Sequence, residues 1–107
     1  MSGFTLRLKQ APALRVDLRG VTPNALASLG VAGIERLPVG HGHSLVPLAE
    51  FFHVAPRADD HLVFAADLAR FDRVGWQMDG GRLEVEGSVG DHAGSAMRAG
   101  TLVVRGS

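Results

Sequence analysis

The sequence has no cysteine and no tyrosine, and it has no surplus of charge of either sign. Without cysteine there is no disulfide framework and no thiolate metal site. Eleven basic residues balance eleven acidic ones, and a formal charge of zero argues against a nucleic-acid binder, which wants a basic surplus. No apolar run approaches the ~18 residues of a membrane span. The N-terminus lacks the charged and apolar stretches of a signal peptide. These absences point to a soluble cytoplasmic protein. At 107 residues the chain fits one small domain with a modest core.

What the sequence does have is glycine, 14 in all, eight of them between Gly75 and Gly106. Average usage is about 7%. Glycine at that density means either disorder or a backbone that turns at regular intervals.

The first half reads as a small α+β region over residues 1–56. Phe4–Leu8 and Leu14–Leu18 alternate apolar and polar, as half-buried strands do. The connection between them contains Pro12, so the pair could form a hairpin or lie at an edge. Thr22 and Pro23 open a short helix, with Thr22 as N-cap and Pro23 at the first helical position, and Gly30 stops it. A further turn follows over 32–36. Pro47 excludes a long central strand in the apolar segment 45–54, which reads as strand, turn and a helical turn into Phe51-Phe52. Residues 55–60 read as a polar linker.

From Leu62 onward the sequence repeats. Gly75, Met78 and Gly81 map onto Gly94, Met97 and Gly100, so Gly-x-x-Met-x-x-Gly recurs after 19 residues. Leu62 and Leu83 are 21 apart, so the first unit carries two extra residues, expected within 72–74. A third unit begins at Leu102. A period near 20 residues means stacked coils. Each unit starts with a short alternating strand, such as Leu83-Glu84-Val85-Glu86, with Leu83 and Val85 inward. Met78 and Met97 are expected to stack inside, where a flexible thioether fills irregular space. The expected fold is therefore mainly β: a short right-handed parallel β-helix over residues 57–107, preceded by the α+β region.

These tandem Gly-x-x-Met-x-x-Gly units resemble the GXGXG β-helix family. That domain occurs in the C subunit of formylmethanofuran dehydrogenase and at the C-terminus of the glutamate synthase large subunit. The order of elements over 4–8, 14–18, 22–29 and 48–54, and the run Met78–Leu83, bring the chain closer to the dehydrogenase C subunit and its counterpart in the bacterial formyltransferase/hydrolase complex. The resemblance implies a cytoplasmic assembly of several subunits handling a formyl group on a methanofuran-type carrier, linked in bacteria to tetrahydromethanopterin-dependent formaldehyde oxidation. It implies that this chain is a scaffold binding no cofactor itself, with metal and carrier sites on its partners. Family members run through more coils, so the chain reads as a short homologue, a fragment or a truncated gene product, with its coil begun and not finished. Its partners are then the other subunits, or a second copy through the open last rung at Leu102–Val104.

Candidate chemistry is sparse. His41 and His43, at i and i+2, share a strand face and could hold one ion. They would make the chain a small His-dependent metal hydrolase, with His53, His61 or Asp59-Asp60 completing the set; the competing reading is a solvated glycine-rich turn. Asp59-Asp60 could bind a cation or form a solvated linker. Glu84 and Glu86 read as the outward face of a coil rather than an acid/base pair. Arg82, Arg98 and Arg105 could form a basic ridge for an anionic carrier tail. Trp76, where the matching unit has Ser95, could cap the first rung or face a partner. A third functional reading is a glutamate-synthase-like spacer module.

Overall fold

A computed structural model describes residues 3–106. Alternation in the sequence becomes strand. In β1 (Gly3–Leu8) Phe4 and Leu6 point into the core while Arg7 is exposed. β2 (Val16–Asp17) follows, then two short helices, α1 (Pro23–Leu26) and α2 (Gly30–Glu35). The Thr22 hydroxyl accepts a hydrogen bond from the Ala25 N–H at 3.3 Å, satisfying one free donor of α1, and Pro23 occupies the first turn. Gly30, at φ 71°, opens α2. The hairpin β3 (Pro38–His41) and β4 (Ser44–Pro47) leads through a single 3-10 turn at Leu48–Glu50 into β5 (Phe52–Arg57). Then come β6 (Leu62–Ala65), β7 (Phe71–Asp72), β8 (Asp79–Val85) and β9 (Ala99–Val104). Among the described residues no helix is long and apolar enough to cross a membrane.

Two sheets form, ordered β5-β1-β6-β8-β9 and β4-β3-β2-β7. β1 and β2 do not form a hairpin with each other, because each finds its partners in a different sheet. β1, β6, β8 and β9 run parallel in one register, which places Phe4 beside Leu62, Leu62 beside Leu83, and Leu83 beside Leu102. Two residues on, Leu6, Phe64, Val85 and Val104 make a second column. β2 and β7 are likewise parallel, with Val16 beside Phe71. The remaining pairings are antiparallel: β5 on β1, β3 on β2, and β4 on β3. Both sheets are thus mixed. The chain as a whole is a β-rich fold with two short helices rather than an all-parallel solenoid, because residues 38–57 return along the free edges of β1 and β2.

Two further expectations change. The linker at 55–60 is strand as far as Arg57, since β1 offers those residues a hydrogen-bonding edge; Pro56 is tolerated because β5 is itself an edge strand. One sheet and one apolar core therefore cross residues 56 and 57. The two-residue excess of the first unit lies earlier than 72–74. The offset is 21 at the Leu68–Val89 bridge and 19 at the left-handed pair Arg73 and His92, so the extra residues fall between Leu68 and Arg73. With Asp72 matched to Asp91 at the same offset of 19, they fall in the turn just before β7, the strand that reaches β2.

The 19-residue period is written in the backbone as well. Arg73, Gly75, Gln77 and Gly81 have positive φ, and so do His92, Gly94, Ala96 and Gly100. Gly100 (φ 96°) also has no room for a side chain, because a Cβ there would lie 2.8 Å from the backbone of Gly80 in the rung below. Met78 is fully buried, whereas Met97 in the next rung is only partly covered and packs on the core from above. Phe52 and Phe64 meet edge-on at 5.4 Å between ring centres, and Phe71 extends the cluster.

Met78→Ala should cost about 2–5 kcal/mol of unfolding free energy, as buried Met→Ala changes do, and Met97→Ala distinctly less; urea denaturation of both variants measures the gap. Ala96 sits at φ 57°, a region that costs a Cβ-bearing residue roughly 1–2 kcal/mol. Ala96→Gly relieves that strain but loosens the unfolded chain, so a net gain of up to about 1 kcal/mol is expected in the same assay.

Candidate functional site

Charge on the outer face of the five-stranded sheet converges on Glu84. Leu83 and Val85 are fully buried on the inner face, and the intervening Glu84 points outward, as the alternation requires. Its carboxylate accepts hydrogen bonds from Arg105 at 2.9 Å and Arg82 at 3.1 Å, and His61 Nδ1 lies 3.3 Å away. The two guanidinium groups, Arg105 foremost, hold the Glu84 carboxyl at about 2, down from an ordinary 4.5. Beside it Arg57 forks onto Asp59 at 2.8 and 2.9 Å and reaches Thr5 on β1. Asp59 is lowered well below the carboxylate range by Arg57 first and the His61 N–H second.

A second network ties rungs together on the other sheet. Asp72 accepts a two-pronged bond from Arg15 and the N–H of Asp91, its equivalent one rung above, at 2.9 Å. Arg15 lowers the Asp72 carboxyl while burial opposes the shift. Asp67 accepts the Ser88 N–H across the same gap, and Asp17 pairs with Arg73 at 2.9 Å. Trp76 lies under the Arg19 guanidinium, 5.6 Å from the ring centre.

Gly75, Gly81, Gly94 and Gly100 lie at positive φ, and Met78 is buried in the core while Met97 is only partly covered. The three arginines do not form a run of free positive charge. Arg82 and Arg105 are engaged by Glu84, and only Arg98 is exposed with no ion pair among the described residues. His41 and His43 do not converge either. His41 Nε2 accepts the Leu14 N–H at 3.2 Å and its ring meets Phe51 edge-on, while His43 is exposed in the turn. Among the described residues no group of three His, Asp or Glu side chains is placed to hold a metal ion. Sequence reasoning misses the Arg15–Asp72 link, although the 19-residue spacing of Asp72 and Asp91 marks its place in the repeat.

Two clefts remain. One, of about 380 Å³, lies between α1 and β8, where Gly81 lets Pro23 approach so closely that a Cβ would sit 2.7 Å from the ring. The other, of about 550 Å³, lies across the β3–β4 hairpin between Leu14 and Leu45.

No protein-family model matches the chain. Among curated proteins it is 40% identical over 86 residues to the C subunit of the formyltransferase/hydrolase complex of Methylorubrum extorquens, an alignment covering 80% of this chain and 32% of that protein. It is 34% identical to the C subunit of the molybdenum-containing formylmethanofuran dehydrogenase 1 of Methanosarcina barkeri, over 86% of this chain and 32% of the relative. A chain in the crystal structure of the M. extorquens complex with methylofuran superposes with a TM-score of 0.71, at 30% identity, over 95% of this chain and 46% of that one. This chain is homologous to these C subunits. It spans about a third of the length of the curated relatives it matches.

Because the folded pKa of Glu84 lies below its ordinary value, the carboxylate stabilises the fold above about pH 4.5 and the contribution fades as pH falls toward 2. Glu84→Gln should therefore lower stability at pH 7, with the gap from the parent closing over that acidic window. Thermal melts of both proteins across pH 2–7 test the sign.

Proposed function

We propose that the chain is a non-catalytic interaction module, equivalent to part of a C subunit, in a cytoplasmic complex that transfers formyl groups on a methanofuran-type carrier. The likeness to a chain of the methylofuran-bound complex, spread over 95% of this chain, carries the reading. The ionisable clusters support it, because their carboxylates are spent on strand-to-strand ties rather than aimed into a cleft. In this reading metal and carrier are held by partner subunits. Arg98, the one arginine of the expected ridge left free, is the residue for any contact with an anionic carrier tail.

We read the parallel run β6-β8-β9 as GXGXG-type β-helix rungs, and residues 1–56 as the segment that closes one side of them within a shared core. The 19-residue recurrence of left-handed turns and the leucine column support this assignment. The partner-binding surface is then the β9 side. Leu68, Val74, Met78 and Leu83 are fully covered, whereas Val89, Ala93, Met97 and Leu102 one rung on are half-open. An apolar strand whose outer edge is unpaired among the described residues is a ready template for another segment.

Co-expression with the other subunits of such a complex, followed by size-exclusion chromatography, tests the reading. The chain should co-elute with them, and Val104→Lys, at a half-exposed site on β9, should weaken co-elution by more than its fall in melting temperature accounts for. A chain that elutes alone, beside a complex assembled equally well without it, would count against the proposal.

A further inference from the structure

We propose that residues 88–106 dock on and release from the rest of the fold as one unit, hinged at Gly87, so that the chain alternates between a closed state and an open state in which β8 is the outer strand. The proposal concerns the chain's own rungs and does not rest on the reading above. Burial stops abruptly at Val85. Leu68, Phe71, Val74, Met78, Leu83 and Val85 are buried, yet no residue from 86 to 106 is. The unit meets the fold on one face. β9 pairs with β8 alone. The Gly94 and Arg98 N–H groups donate down to the carbonyls of Val74 and Met78, and the Arg73 and Gln77 N–H groups donate up to those of Asp91 and Ser95. Beyond the rung below, its one ion pair among the described residues is Arg15 with Asp91, at 3.9 Å and largely exposed. When each rung touches only its neighbour, an end rung has a stability of its own, set by a single interface.

Backbone strain adds to the imbalance. His92 and Ala96 hold φ of 62° and 57°, a region that is unfavourable for residues with a Cβ. The rung below carries the same strain at Arg73 and Gln77, but it buries Val74 and Met78 against it. Release is all or none because the contacts interlock. Leu102 returns to Leu83 only through the left-handed corners at His92, Gly94, Ala96 and Gly100. A β9 docked without those corners would close a long loop for one row of bonds, and corners without β9 would order backbone with no burial. Both ends are tied to the fold, the Ser88 N–H to Asp67 and Arg105 to Glu84 at 2.9 Å. Gly87 stands between the last buried residue and the first tie, and has the widest backbone freedom of any residue type. Contact with the half-open Met97 and Leu102 from the far side requires the closed state. Such contact and closure therefore favour one another by the same factor.

Native-state hydrogen exchange of the full chain reads this out residue by residue. Corrected for intrinsic rates, the amides of Gly94 and Arg98 and, across the gap, of Arg73 and Gln77 should share one protection factor. It should lie about a hundredfold or more below that of Phe4 and Glu86, whose bonds to His61 and Phe64 stay closed in both states. Ile34→Val, in α2 and outside the moving interface, supplies the second measurement. It weakens packing that closed and open states share, so it should lower protection at Phe4 and Glu86 about threefold to tenfold and leave the shared factor of the other four amides unchanged. Protection of Gly94 and Arg98 equal to that of Phe4 would overturn the proposal. So would unrelated factors at Gly94 and Arg98 with Arg73 and Gln77 still protected, which is fraying without a unit. A fall at all six amides together in Ile34→Val would also overturn it, because the chain would then open only as a whole.

Discussion

The parallel register of β1, β6, β8 and β9 is the constraint on which the rest of the structure depends. It stacks Phe4, Leu62, Leu83 and Leu102 in one column and Leu6, Phe64, Val85 and Val104 in the next. Burial of those columns is the main favourable term, and it is collected only if each rung returns to the same place. The return path is therefore as constrained as the strands. Left-handed turns recur at matching positions 19 residues apart, and some of them fall on Arg73, Gln77, His92 and Ala96, which carry Cβ atoms. That strain persists because the stack on either side leaves the chain no alternative route.

The polar network follows from the same geometry. Rungs one strand apart bring backbone N–H groups within reach of side chains on the rung below, and aspartates occupy those places. Asp67 accepts from Ser88 and Asp72 from Asp91, so the carboxylates act as ties between rungs. Glu84 does the equivalent on the outer face by drawing Arg82 and Arg105 together. A carboxylate satisfied by two guanidinium groups is a poor general base at neutral pH, since its proton affinity has been lowered. Paired in this way, these carboxylates act as ties between strands.

This also explains which features were legible in the sequence. The repeat, its period, the inward leucines and the Thr22–Pro23 helix start are local or periodic signals, and each kept its place. Pairing between distant segments carries no such signal. Nothing in Phe4–Leu8 announces that its parallel partner begins at Leu62, or that residues 52–57 will lie antiparallel on its other edge. Residues 55–57 of the linker expected at 55–60 became strand because tertiary pairing overrode a polar, proline-containing composition. His41 looked like a ligand because spacing alone cannot reveal that its Nε2 is already taken by the Leu14 amide.

The two sides of the stack are unlike in a way that bears on assembly. On one side β5 and β3 lie antiparallel on β1 and β2, and an antiparallel strand cannot pass the parallel register on to a further rung. Pro56 on β5 withholds a donor, and α2 packs against the same strand. That side is closed to growth. On the other side β9 keeps the register of every parallel strand before it and leaves Met97 and Leu102 half-covered. Among the described residues the columns can therefore be continued along β9, whether by further residues of the same polypeptide or by another chain, and the antiparallel side sets where the core begins.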